Sequence, residues 1–309
     1  MRTPATPEIQ AFFDETTKTA TYLVWDPVTC DAAVIDPVLD FDLASGQVRT
    51  HSVDRVLAAA AELGLVIRWS LETHAHADHL SASAFIRDRA GTRIGVGAHI
   101  RDVQGFFAPV FGADDLRPDG GDFDALFEDG ERLAIGRLEA EVIYTPGHTP
   151  ADVSYRIGDA VFVGDTLFMP DYGTARADFP GGDARRLYRS IRRLLALPPQ
   201  TRLLLCHDYK APGRDAFAWE STVAEQRTTN IHIHDDVGED AFVAMRQARD
   251  ATLAAPALFN PSIQVNIRAG RFPPLEANGS RYIRVPVRAS TGSAAEAVGV
   301  GAPGASSPT

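Results

Sequence analysis

Five of the chain's nine histidines, His74, His76, His79, His148 and His207, stand just beyond runs that read as β-strands, with Asp78 and Asp165 in their company. Side chains from so many separate strand ends can meet only if the strands lie side by side, which restricts the fold to sheets whose ends open on one point. The densest segment is Thr73-His74-Ala75-His76-Ala77-Asp78-His79. Alternate residues of extended chain face the same way, so His74 and His76 can aim at one point while Asp78 and His79 turn towards a neighbouring one. His148, in Thr145-Pro146-Gly147-His148-Thr149, adds a nitrogen from another strand end, and Asp165, in Val163-Gly164-Asp165-Thr166, adds a carboxylate oxygen. Nitrogen and oxygen donors converging from a rigid frame are what a divalent metal requires, and a metal site is expected. His51, His99, His232 and His234 lack companions at such spacing and are assigned to surface or core.

The frame itself alternates strands and helices. Residues 19–36 read as a hairpin, with Ala20, Tyr22 and Val24 alternating against Thr21, Leu23 and Trp25. Ser52 is placed to cap a helix carrying Val53, Val56, Leu57 and Ala60 on one face, and Gly64 to end it. A strand over 65–71, a helix reaching Ala90 and a strand near 93–96 follow. A second β-rich stretch covers 132–135, 138–144, 154–157 and 160–163; Asp183 then caps a helix stopped by Pro198-Pro199, and a strand over 202–206 ends at His207. Two successive halves of this kind predict an α/β fold of two sheets flanked by helices, a four-layer αββα sandwich. Residues 1–230 form the expected catalytic domain. Helices over 218–230 and 238–253 and strands over 262–267 and 282–287 make 231–288 a C-terminal α+β extension packed on it. In 289–309 all but Glu296, Val298 and Val300 are Ala, Gly, Ser, Thr or Pro, the composition of a flexible tail.

Charge narrows the partners. With 41 acidic and 30 basic residues the formal charge is −11, and no Lys/Arg block offsets that field, so neither nucleic acid nor a membrane surface is an expected partner. No apolar run approaches the ~20 residues that cross a bilayer, and the N-terminal segment does not read as a signal peptide. Cys30 and Cys206 are too few for a disulfide framework and suit a reducing compartment, the cytoplasm. Cys206 is expected to pack rather than react.

The ordered motifs resemble those of the metallo-β-lactamase superfamily over about residues 19–210. Within it, Asp36-Pro37-Val38, the 73–79 segment, Gly173-Thr174-Ala175-Arg176-Ala177-Asp178-Phe179 and Cys206-His207-Asp208-Tyr209 resemble the persulfide (sulfur) dioxygenases. The stretch from Arg176 through Arg189, with Val223-Ala224-Glu225-Gln226-Arg227, is similar to the bacterial β-lactamase-like hydrolases linked to sulfide detoxification. The resemblance implies one Fe(II) per chain held by His74, His148 and Asp165, a two-histidine, one-carboxylate triad that leaves the opposite face open for a sulfur anion and O2. It implies oxidation of glutathione persulfide, or a related small persulfide, to sulfite and thiol. Arg176 would organise the site or attract substrate carboxylates, with a loop salt bridge to Asp178 as the alternative; Tyr209 would hydrogen-bond substrate or a ligand.

His76, Asp78, His79 and His207 would then surround the ligands. They are equally the residues that would complete a two-zinc thioester hydrolase of the glyoxalase II kind, in which a metal-bound water attacks the carbonyl. A non-catalytic, metal-dependent binding module is the third reading. A homodimer is left open.

Overall fold

The computed structural model describes residues 6–287. Strands β1 (Glu8–Asp14) and β2 (Thr19–Trp25) form an antiparallel hairpin, and β3 (Asp31–Ile35) pairs antiparallel with β2. The alternation read in β2 is real: Ala20, Tyr22 and Val24 enter one apolar cluster, whereas Leu23 enters another on the opposite face. A strand apolar on both sides must be covered on both sides, which is why the sheet sits between a second sheet and helices.

The chain continues through β4 (Val38–Asp42), β5 (Gln47–Arg49), helix α1 (His51–Glu62), β6 (Val66–Leu71), β7 (Leu80–Ser81), α2 (Ser83–Ala90), β8 (Arg93–Gly97), α3 (Ile100–Phe111) and β9 (Ala125–Phe127). The first sheet has the order β1-β2-β3-β6-β8-β9, its last three pairings parallel. The second half comprises β10 (Arg132–Ile135), β11 (Leu138–Tyr144), β12 (Val153–Ile157), β13 (Ala160–Phe162), α4 (Ala184–Leu195), β14 (Arg202–Leu204), β15 (Glu220–Thr222), α5 (Val223–Thr229), α6 (Glu239–Asp250) and α7 (Phe259–Asn266). Strands β10 to β15 form the second sheet in sequence order.

Tyr22, Val24, Ile35 and Leu71 of the first sheet meet Ile135, Val142, Tyr155 and Phe162 of the second in the central layer. Outside the first sheet, Val53 and Val56 of α1 and Ile86 of α2 pack on Leu23 and Val34. Outside the second, Leu187, Ile191 and Leu194 of α4 and Phe242 of α6 pack on Val161 and Leu203. This is the four-layer sandwich. No helix among the described residues is long and apolar enough to cross a membrane.

Several local expectations are corrected. Residues 262–267 are not a strand; 262–266 lie in α7 and Ile267 is its C-cap: Ile263, Val265 and Ile267 alternate like strand residues, yet every residue from Pro261 to Asn266 is buried, so the helix has no polar face to betray its period. Residues 282–287 join no ladder. Their backbone is satisfied at Arg284, whose N–H and carbonyl bond the Gln264 side chain. Ser52 does not cap α1; Thr50 holds the N-cap position, while the Ser52 hydroxyl and N–H are taken by Asp40. The expected helix over 218–230 begins only at Val223, because 220–222 extends the second sheet, and Thr222 caps what remains. The tail expected at 289–309 lies outside the described residues.

Candidate metal centre

Four strand ends bring the chemistry together. Beyond β6, the backbone N–H and hydroxyl of Thr73 donate to the Asp36 carboxylate, at 2.8 and 2.9 Å, which fixes the segment leading into His74. Beyond β11, Gly147 has φ +146°, and a Cβ there would collide with the Leu187 backbone at the start of α4; only glycine lets His148 sit against that helix. Beyond β13, Asp165 occupies a 3-10 turn after Gly164, and beyond β14 the chain reaches His207.

Four overlapping groups of potential ligand atoms result, each within 4.8 Å of one another; two of them, His74, His148 and Asp165, and His76, Asp78, His79 and His207, hold the expected residues, and the others are Asp165, Cys206 and His207, and Asp36, Glu72 and His76. Asp165 Oδ2 lies 3.6 Å from His148 Nε2 and 4.0 Å from His74 Nε2, while its Oδ1 lies 3.2 Å from His207 Nε2. Asp165 therefore touches both groups.

Each histidine has one ring nitrogen engaged from outside. Nδ1 of His74 meets the Thr73 hydroxyl at 3.0 Å, and Nδ1 of His148 meets the Arg176 carbonyl at 2.8 Å. His76 Nε2 meets Asp36 at 3.0 Å, His79 Nδ1 meets Thr19 at 3.5 Å, and His207 Nδ1 meets the Lys18 carbonyl at 3.1 Å. The inward atoms have no hydrogen-bond partner although buried: Nε2 of His74, His79 and His207, Nδ1 of His76, Oδ2 of Asp78 and Oδ1 of Asp165. Buried polar atoms are almost always satisfied, so orphans gathered in one cluster, four of them on rings pinned from behind and two on carboxylates, fit metal ligands held by outer hydrogen bonds.

Protonation tendencies agree. Burial, reinforced by the neighbouring imidazoles, holds His74 well below its ordinary pKa, and burial likewise lowers His79. Both are thereby disposed towards the neutral form, whose free nitrogen can ligate. Burial also opposes charge on His76 and His207, but Asp36 and Glu72 beside His76, and Asp165 and Asp78 beside His207, outweigh it and raise both.

A cavity of about 350 Å³ opens beside the cluster at Asp78, His148 and Asp165. Phe168, Phe179, Pro256 and Phe259 line it with apolar surface; Tyr209, Arg176, Arg246 and Arg249 supply polar groups. Tyr209 lies nearly parallel to His207, ring centres 5.7 Å apart. Arg176 sits on the wall with its guanidinium committed: Nε and Nη2 reach the Asp178 carboxylate at 2.5 and 2.8 Å, and Nη1 donates to the Ala254 carbonyl. Arg246 is fully buried and paired with Asp250 at 2.7 Å. Arg249 differs. It is exposed, and among the described residues no carboxylate pairs with it. Of the remaining histidines, His232 is buried and accepts from Thr174 N–H, while His99 pairs with Asp102 at the surface. Cys206 is buried and free.

The sequence reading missed Arg246, Arg249, Asp250 and Asn266. Asn266 donates to the carbonyls of His76 and His79, and nothing local in the sequence marks such a role.

The fold and the clustered His/Asp side chains define a metal-binding α/β sandwich. Residues 17–207 match the Metallo-beta-lactamase superfamily, and the chain belongs to it. It is 52% identical to a probable metallo-hydrolase of Burkholderia pseudomallei over 91% of this chain and 99% of the relative. It is 28% identical to the mitochondrial persulfide dioxygenase ETHE1 of Homo sapiens over 85% of this chain and 88% of that protein. The crystal structure of ETHE1 from Myxococcus xanthus superposes with a TM-score of 0.68 at 31% identity, covering 85% of this chain and all of that one.

Proposed function

We propose that the chain is a non-haem iron persulfide dioxygenase that converts glutathione persulfide, or a related small persulfide, into sulfite and thiol in cytoplasmic sulfide detoxification. The observation that carries this reading is the His74, His148 and Asp165 set, two nitrogens and one carboxylate oxygen, of which His148 and Asp165 line the apolar cavity. Similarity to persulfide dioxygenases across five-sixths of the chain supports it. Fe(II) held by these three side chains would supply an open face at which a sulfur anion and O2 meet. The outer sulfur gives up four electrons and O2 takes them; both oxygen atoms, with one from water, account for sulfite, and the thiol leaves with a proton.

The chain's own residues position the substrate. Phe168, Phe179 and Phe259 exclude water from the reacting sulfur, and the Tyr209 phenol offers a hydrogen bond above His207. Arg249, the pocket guanidinium without a carboxylate partner, is suited to the carboxylate end of the thiol carrier; Arg176 holds the wall through Asp178 and Ala254. His207 Nε2, 3.2 Å from Asp78 Oδ2 and from Asp165 Oδ1, stands between the two carboxylates.

The orphaned His76 Nδ1, His79 Nε2 and Asp78 Oδ2 favour a second reading, a two-zinc thioester hydrolase. Elemental analysis of protein purified without added metal, with an oxygen electrode and a sulfite assay, separates the two. The dioxygenase gives about one iron and persulfide-dependent O2 uptake with sulfite. Two zincs, no sulfite and rapid hydrolysis of S-lactoylglutathione would replace it with the hydrolase.

A further inference from the structure

Asn266, Arg246 and Asp250 lie beyond residue 207, where the family match ends, yet Asn266 is bonded to the turn that carries candidate ligands, and Arg246 and Asp250 to the loop whose Arg176 carbonyl meets His148. Asn266, buried in α7, donates from Nδ2 to the carbonyls of His76 and His79, both at 2.8 Å, and accepts from Ser81 N–H at 2.8 Å. One side-chain amide thus fixes both ends of the His76–His79 turn. Arg246 and Asp250, paired on α6, grip the second loop on either side of Arg176: Arg246 Nη1 donates to the Thr174 carbonyl at 3.0 Å, and Asp250 Oδ2 accepts from Ala177 N–H at 2.9 Å. Between these two points the Arg176 carbonyl meets His148 Nδ1.

We infer that α6 and α7 form a brace built into the metal centre, with Asn266, Arg246 and Asp250 as positioning residues for its ligands. A carbonyl facing Nδ1 selects the His148 tautomer that carries hydrogen there, leaving the Nε2 lone pair free for a metal. If the 174–177 backbone drifts, that selection is lost and Nε2 carries hydrogen part of the time. Likewise, without Asn266 the carbonyls of His76 and His79 are buried without donors, and the turn carrying Asp78 must move to satisfy them. The brace rests on the metal-site reading and holds for one ion or two, so failure to make sulfite would not touch it.

The test uses the full chain and measures metal affinity by chelator competition, the visible spectrum of the Co(II)-loaded protein, and the melting temperature of the metal-free protein. Asn266→Ala and Asp250→Ala are expected to weaken metal binding about 10- to 100-fold and to alter the Co(II) spectrum. Asp250→Asn, which keeps an acceptor for Ala177 N–H, should fall between Asp250→Ala and the parent. Gln247→Ala, exposed on the same helix, should leave the affinity unchanged. If an alanine variant fails to fold, Asp250→Asn and Asn266→Asp carry the comparison. Parent-like affinity and spectrum in folded variants, whatever happens to the melting temperature, would reduce the brace to ordinary packing and overturn the inference.

Discussion

Removing Arg249 isolates substrate recognition from everything else the pocket does. The side chain is exposed, and among the described residues it has no carboxylate partner, so Arg249→Ala should change folding stability by no more than about 0.5 kcal/mol. A well-formed charge-assisted hydrogen bond to a substrate carboxylate contributes about 1.5–3 kcal/mol, and screening at an open pocket mouth favours the lower end. At roughly 1.4 kcal/mol per decade, kcat/KM for glutathione persulfide should fall about tenfold, carried mainly by KM because the contact is remote from the reacting sulfur. Arg249→Lys keeps the charge without the planar fork and should recover only part of the loss. Sulfite formation is measured with glutathione persulfide and with ethyl persulfide, which has no carboxylate, at low and physiological salt. Equal losses on both substrates, or no loss on the first, would refute the assignment of Arg249 to the anionic end.

The number of metals is read from His207→Ala: metal analysis should still find one ion per chain, and a fall from two to one would establish the binuclear site. Acid should act through His232, whose burial lowers its pKa from 6.5 to about 4 and whose Nδ1 must stay unprotonated to accept from Thr174. Below pH 6.5 the unfolded chain takes up a proton that the folded one refuses, so this contribution is complete above that pH and is lost as pH falls towards 4. In metal-free protein the loss between pH 7.5 and pH 5 should be about 2 kcal/mol greater than in His232→Gln, measured by urea unfolding; parallel losses would show that His232 does not titrate this way.

What was legible in the sequence was what obeys local rules. Strand alternation marked β2, helix period and Asp183 marked α4, and the histidines at strand ends announced the ligand cluster. Helix α7 escaped because it is buried all round, and the brace escaped because it works at a distance: Asn266 and His76 are 190 positions apart, and an asparagine in an apolar run carries no sign of its partner. Arg176 shows the same limit from the other side. Its motif drew attention to the guanidinium, whereas its carbonyl is what touches His148, and backbone atoms leave no trace in residue identity.

The contact between Asn266 and the turn at His79 also has a bearing on how the protein is made. The two residues are 187 positions apart, so at a synthesis rate of 5–20 residues per second the His76–His79 turn waits roughly 10–40 s for the amide that holds it. Through that interval the nascent chain presents three histidines and an aspartate on an unfinished support, while His148, Asp165 and His207 arrive one after another. All seven of these side chains are made before Asn266, so an ion taken up in that interval would meet a turn whose His76 and His79 carbonyls still lack their donor. The support that holds these side chains in place is therefore the last part of the centre to be made.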